Sequence, residues 1–305
     1  MSDIKLFRLD SGGVVELGGE SMAIEKSLQN LMESNLDALL GVRFLASEYR
    51  TGKTHGGRID TLGIDENGSP VIIEYKRAMN ENVINQGLYY LDWLLDHRGE
   101  FELLVLKTLG KESADGIEWG GPRLLCIAGD FTRYDEHAVG QIGRNIELIR
   151  YQKFGGDHLL LDLVNAASSG GQTPATAQKK IGKNSSGGIG KNIEERLAQA
   201  NEDTRDLHAS LDSYLLALGD DVQPKTLKHY FAYRRIKNFA CVEVFSDKVL
   251  AFVKVNPDNV TLEEGFTQDV RKVGHFGTGD LKITLKTPAD LDKAIPLLAK
   301  SYEVS

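Results

Sequence analysis

Asp60, Glu74 and Lys76 have the residue types and the spacing of a hydrolytic centre. Between the two acids lies Asp65-Glu66-Asn67-Gly68-Ser69, a turn signal with glycine where a left-handed residue is wanted. If Glu66, Asn67 and Gly68 form a three-residue loop, Asp65 pairs with Ser69. One strand then advances as the other retreats, and Asp60 falls opposite Glu74. Directly opposed residues on antiparallel strands hold their Cβ atoms about 4.5–5.5 Å apart, and like charges there are destabilising. Two carboxylates at that separation suit Mg²⁺, with Mn²⁺ as a substitute, the ion keeping several waters. Lys76 lies two residues beyond Glu74 and so shares its strand face. An ammonium there can orient and acidify a water, or offset the charge that builds on phosphorus during hydrolysis. The plainer reading makes Glu74 and Lys76 solvent-facing charges on a half-exposed strand. Against it stands the continuously apolar run Val71-Ile72-Ile73, which suggests a strand buried on both faces, where charges need partners.

The elements that must position these groups can be read from periodicity. Short strands at 5–9 and 14–17 precede a helix from about 24 to 40, in which Ile24, Leu28, Leu31 and Met32 recur at helical spacing. Strands follow at 42–49, 58–64 and 70–76, then a helix at 81–97 and a strand at 101–106. After the glycine-rich break Gly116–Gly121 come a strand at 123–128, a helix at 134–143 and strands at 146–151 and 159–164. This order implies an α/β domain, a mixed sheet flanked by helices.

Gly57-Arg58-Ile59-Asp60 followed by Val71-Ile72-Ile73-Glu74-Tyr75-Lys76 resembles the PD-(D/E)XK nuclease superfamily, and more specifically its RecB-like and NucS-like branch. The resemblance covers about residues 20–110 and implies a restriction-endonuclease-like fold with Asp60 and Glu74 as metal ligands. That branch adds a glutamine and a tyrosine one turn apart on the next helix, matched by Gln86 and Tyr90, whose i, i+4 spacing puts them on one helix face. It also uses a glutamate on the first helix as a further ligand, matched by Glu25. The implied activity is Mg²⁺-dependent DNA endonuclease action in prokaryotic defence or DNA repair. The alternatives are a non-catalytic nucleic-acid-binding or sensing protein on the same fold, or a nuclease for RNA or free ends.

Other polar residues near the motif keep two readings each. Glu48 is a further acidic ligand or a surface charge. His55 touches a phosphate or is merely exposed. Arg58, on the same strand face as Asp60, clamps a phosphate or pairs with Glu25 or Glu48. Tyr89 and Trp93 read as core.

The stretch 166–191 is rich in Gly, Ser, Ala and Lys, reads as a flexible linker, and separates a domain at 1–165 from one at 192–305. The second begins with Ile193, Leu197, Ala200, Thr204, Leu207, Leu211, Tyr214 and Leu218 at heptad spacing, read as a homodimeric coiled coil or a long helix packed on its own domain. In the segment 225–239, Lys225, Lys228, Arg234 and Arg235 interleave with aromatics, which predicts core aromatics with a basic edge exposed to nucleic acid, in preference to a base-stacking platform. A hairpin at 239–255, a glycine-rich loop at 274–280, a strand at 281–285 and a helix opened by Thr287-Pro288 complete a smaller α+β domain. It resembles an uncharacterised α/β module often fused to such nucleases, and target choice, a homo-oligomer or a partner protein are its expected roles.

The 305 residues carry a net charge of −8, which by itself disfavours non-specific nucleic-acid binding. By region the balance is −9 for 1–165, +4 for 166–191 and −3 for 192–305. No apolar run suits a spanning helix and the start lacks a signal-peptide pattern, so the expected location is cytoplasmic, with no membrane partner. Cys126 and Cys241 both sit in apolar runs and read as buried thiols.

Overall fold

The structure, a computed structural model, describes residues 4–10, 12–20, 25–52, 56–76, 82–167 and 191–305. The chain divides into two compact units, Met1–Gly171 and Gln172–Ser305. Among the described residues no helix is long and apolar enough to cross a membrane. Most of the expected linker, from 168 to 190, lies outside the described residues, whereas Ala166 and Ala167 still belong to a strand.

In the first unit a hairpin of β1 (Leu6–Asp10) and β2 (Gly13–Leu17) stands apart from the main sheet. The main sheet comprises β3 (Gly19–Glu20), β4 (Val42–Arg50), β5 (Arg58–Asp65), β6 (Pro70–Lys76), β7 (Arg123–Ala128), β8 (Asn145–Phe154) and β9 (His158–Ala167). Its order is β3-β8-β7-β6-β5-β4, with β9 also on β8. β4, β5 and β6 pair antiparallel, β6, β7 and β8 parallel, which makes the sheet mixed as the element order implies. Parallel pairing demands crossovers. α3 (Asn82–Asp96), α4 (Arg98–Leu109) and α5 (Lys111–Asp115) connect β6 to β7, and α6 (Arg133–Ile142) connects β7 to β8.

Burial of β6 on both faces explains its apolar run: Val71, Ile72 and Ile73 are fully buried. Ile72, Leu124 and Cys126 pack with Val83, Leu91, Trp93 and Leu94 of α3. α1 (Glu25–Glu33) lies against β5 and β6, with Leu28 and Met32 buried. The hairpin turn is locked by Asp65, which accepts hydrogen bonds from Asn67 N (2.9 Å) and Ser69 N (2.7 Å). Its other oxygen meets the buried Arg123 guanidinium (3.0 Å), whose remaining edge is bidentate to Glu147 on β8. One satisfied ion triad thus ties β5, β7 and β8 together beneath the loop.

Two predicted elements differ. The expected helix 24–40 is two helices, α1 and α2 (Leu36–Leu40), because Ser34 and Asn35 turn their side chains onto the Asn30 and Leu31 carbonyls. The expected strand 101–106 lies inside α4, where Phe101 and Val105 are buried one turn apart and Leu103 and Leu106 are exposed. An unbroken apolar run has no period with which to tell helix from strand.

The second unit is a six-stranded antiparallel sheet of order β10-β11-β12-β13-β15-β14. Its strands are β10 (Gln223–Thr226), β11 (Phe231–Arg234), β12 (Asn238–Val244), β13 (Val249–Val253), β14 (Thr267–Asp269) and β15 (Leu281–Leu285). The heptad run is not one helix. α7 (Ile193–Gln199) ends at Ala200, which is extended, and Asn201 caps α8 (Glu202–Leu216) by accepting from Thr204 N at 2.7 Å. Leu207, Leu211 and Leu215 then pack on the unit's own sheet with Leu291, Ala294 and Leu298 of α9 (Pro288–Glu303). α9 opens on the capping box of Thr287 and Asp290, with Pro288 in its first turn.

Candidate active site

The β5–β6 ladder has the register that the turn predicts, running from Ile64–Pro70 to Thr61–Ile73, and it opens one step further on at Asp60 and Glu74. There the carboxylates replace backbone bonding. Asp60 N donates to Glu74 Oε1 (3.2 Å), and Tyr75 N donates to Asp60 Oδ2 (3.1 Å). Burial raises both carboxyls, with the charges of Glu25 and Glu48 adding to the shift of Asp60 and the charge of Asp60 adding to that of Glu74. For Glu74, which is wholly buried, the combined effect of burial and the Asp60 charge pushes the pKa up to about 9.

The second oxygen of Glu74, Oε2, is buried with no hydrogen-bond partner. A buried oxygen of that kind beside a second carboxylate fits a hard divalent cation, whose charge would remove the repulsion and satisfy the orphaned atom. No group of three or more His, Cys, Asp or Glu among the described residues is arranged to hold a metal. Asp60 and Glu74 are the two residues here that could hold such a cation, a donor set that would leave its other positions to water.

Asp60 and Lys76 line a cleft of about 540 Å³ with Glu25, Arg50, Gly52, Gly56, Gly57, Arg58, Gln86 and Tyr90. Lys76 Nζ pairs with Glu25 at 3.2 Å, which puts Glu25 on the cleft wall as the counter-ion of the lysine. Tyr90 OH accepts from Arg58 N (3.1 Å) and from Gln86 Nε2 (3.3 Å), so the helix pair holds the start of β5. That approach needs Gly57, where a Cβ would lie 2.4 Å from the Tyr90 ring. Neither Gln86 nor Tyr90 bonds Lys76.

Arg58 pairs with Glu48 (2.5 Å), not Glu25, and Glu48 also takes Lys26 (2.8 Å), cations that hold its carboxyl below the usual range. Glu48 is the only non-glycine residue with positive φ among those described, at 54°. It stands level with Asp60, between the pairs Ser47–Thr61 and Tyr49–Ile59. His55 lies outside the described residues. Trp93 is core, as expected, whereas Tyr89 is 47% exposed.

The basic residues expected to form an edge in the second unit are largely spent internally. Arg234 is buried and donates to Gln223 (2.7 Å), while Arg235 pairs with Asp221 (2.6 Å) and lies over the Tyr302 ring. Lys225 is half-buried and Lys228 exposed, and Tyr230, Tyr233 and Phe239 are core.

Sequence reasoning missed Gln29, which is buried and donates to the Asp60 carbonyl (2.8 Å), Glu33 (2.9 Å) and Ser47 (3.2 Å) while accepting from Lys26 (3.0 Å). Glu33 in turn accepts from Thr61 Oγ1 (2.6 Å). The spacing Glu25, Gln29, Glu33 is a polar stripe at i, i+4, i+8, a signal that an otherwise apolar inner face would have exposed. Arg50 and Thr51 were also missed.

Fold and site together define a two-unit α/β protein whose first unit carries an acidic and lysine cluster in an open cleft. Residues 193–305 match the family model described as a domain of unknown function, DUF5655. Over 310 residues the chain is 25% identical to an uncharacterized protein of Haemophilus influenzae, covering 98% of this chain and 100% of that one. Among solved structures it is similar to a repair endonuclease from Pyrococcus abyssi, with 20% identity, a TM-score of 0.28 and coverage of 45% of this chain and 51% of the other. It is also similar to EndoMS in an EndoMS–dsDNA complex, with 18% identity, a TM-score of 0.25 and coverage of 43% and 47%. The chain spans about half the length of these two structures, and likeness at such TM-scores carries no weight for fold or activity.

Proposed function

We propose that the first unit is a Mg²⁺-dependent DNA endonuclease of the PD-(D/E)XK kind. The observation that carries this is the register that sets Asp60 against the buried Glu74, with Lys76 two residues on and Asp60 and Lys76 lining one cleft. Asp60 and Glu74 hold the cation, which when bound neutralises a phosphate oxygen and acidifies a water. Glu25 fixes the lysine and supports the acidic side of the cleft. The Lys76 ammonium orients the attacking water toward phosphorus and offsets the negative charge that grows on the phosphoryl oxygens. Gln86 and Tyr90 fix the loop-to-strand entry at Arg58, and Arg58 meets the phosphate backbone. The second unit supplies target choice or assembly, and repair or defence inside a prokaryotic cell is the setting the motif resemblance implies.

The test is incubation of the protein and of its Lys76→Ala and Asp60→Ala variants with closed circular DNA, linear DNA and RNA, in Mg²⁺, Mn²⁺ or chelator. Cleavage of closed circles that needs metal and falls at least about 100-fold in both variants is expected. Cleavage untouched by either substitution would sink the assignment, and activity confined to RNA or to free ends would replace the substrate.

A further inference from the structure

We propose that Arg50 and Arg58 form a two-arginine clamp for one backbone phosphate of a polynucleotide, set one nucleotide step from the phosphate that Lys76 addresses. The inference deepens the nuclease reading and rests on it for the position of that neighbouring phosphate.

Four observations carry it. Arg50 and Arg58 are direct partners in the β4–β5 register, an arrangement of like charges that costs stability unless an anion sits between them. Both side chains are exposed and line the cleft that holds Asp60 and Lys76. Glu48 meets only one of the two arginines and shares itself with Lys26, while the Arg50 side chain has no ion pair or hydrogen bond among the described residues. Finally, the pair is built into a closed loop. Buried Thr51 donates from its N to the Gly57 carbonyl (3.1 Å) and accepts from Gly57 N at its hydroxyl (2.9 Å).

That pair of hydrogen bonds fixes the residue after Arg50 against the residue before Arg58, so the backbone positions from which the two guanidiniums extend are set without a substrate. Gly52, Gly56 and Gly57 line the cleft beside the two arginines and add no side chain there. Guanidinium forks match phosphate oxygens two at a time, which a single lysine cannot do. Arg58 stands two residues from Asp60 on the same strand face, on the order of 7 Å along β5. A ligand that reaches both the carboxylates and the clamp must therefore present successive phosphates, so a nucleic-acid strand fits and a free mononucleotide does not.

The experiment is equilibrium binding of a fluorescent oligonucleotide to the full chain in Ca²⁺ across a salt series, with cleavage of the same oligonucleotide followed in Mg²⁺. Arg50→Ala is expected to weaken binding about tenfold, equally for unrelated sequences, and to reduce the slope of log affinity against log salt by about 1. Arg50→Lys is expected to restore the slope but only part of the affinity, since the bidentate contact is lost. An unchanged slope in Arg50→Ala, its thermal unfolding being that of the parent, overturns the clamp even if the parent cleaves DNA. An Arg50-dependent slope in a parent that cuts nothing upholds the clamp and overturns the nuclease reading. A parent that does not bind the oligonucleotide at low salt overturns the clamp.

Discussion

Glu74 is the most costly side chain in the first unit. Its carboxyl is wholly buried, one oxygen is met only by Asp60 N, and the other has no partner. Keeping such a group neutral, or ionised beside Asp60, costs free energy that a bound cation would offset. Glu74→Gln keeps the shape and removes the charge. In chelator near pH 8 it is expected to raise unfolding stability by about 1–3 kcal/mol, well under the full linkage value because the orphaned oxygen becomes an orphaned amide. Adding Mg²⁺ should raise the midpoint of the parent and leave that of the variant where it was. Chemical denaturation with and without metal reads both effects, and a variant less stable than its parent in chelator contradicts the account. The pair Asp60 and Glu74 was legible in the sequence because a strand has a period of two and the Asp65–Ser69 turn fixes the register. Glu48 was legible as one of two partners for Arg58, whereas Arg50 and Gln29 were not legible, since each acts through a strand or helix it joins only in the fold.

At the level of elements, the site depends on how α1 is fastened to the sheet. Gln29 is one fastening: from the buried face of the helix it reaches the Asp60 carbonyl and the Ser47 hydroxyl, beside the Lys26–Glu48 pair and the Thr61–Glu33 bond. Gln29→Leu leaves the half-buried Asp60 carbonyl without its side-chain donor, a loss of about 1–3 kcal/mol. Because α1 also carries Glu25, the partner of Lys76, the same variant is expected to need more Mg²⁺ for half-maximal activity, while Ser34→Ala at the exposed helix break is not. Calorimetry together with a metal titration separates a helix that is merely loosened from one that positions the lysine. The breaks at Ser34-Asn35 and at Ala200-Asn201 escaped the sequence reading for a common reason. Leu28, Met32, Leu36 and Leu40 keep a spacing of four through the first break, and the heptad run continues through the second, so periodicity shows a continuous face where the backbone changes direction. Side-chain competition for backbone carbonyls, or a capping asparagine, decides the matter, and neither alters the hydrophobic pattern.

For the whole molecule, charge and architecture point to a division of labour between two units with separate cores. The acidic surplus lies mainly in residues 1–165, where the carboxylate site is, so under the proposed function steering of DNA by bulk charge is weak and local arginines would do the positioning. The second unit has its own sheet, its own helix-packed core and a capping box at Asn192 that starts it. Residues 191–305 produced alone are therefore expected to fold cooperatively, and their stability should carry a pH signature from one residue. His208 on α8 is buried, packs on Phe231 with ring centres 4.8 Å apart and planes tilted by 50°, and has an Nε2 without a hydrogen-bond partner. Burial lowers its pKa, with Asp212 opposing in part. A histidine depressed in the folded state binds its proton more readily when unfolded, so stability present above about pH 6.5 is lost as the pH falls through the folded value. The fragment should lose stability between pH 7 and 5 through this group, and His208→Phe, which keeps a ring against Phe231, should flatten that slope. Denaturant titrations of fragment and variant at several pH values decide it: equal slopes for the two would mean that His208 is protonated in the fold, and a fragment without a cooperative transition would mean that the second unit depends on the first.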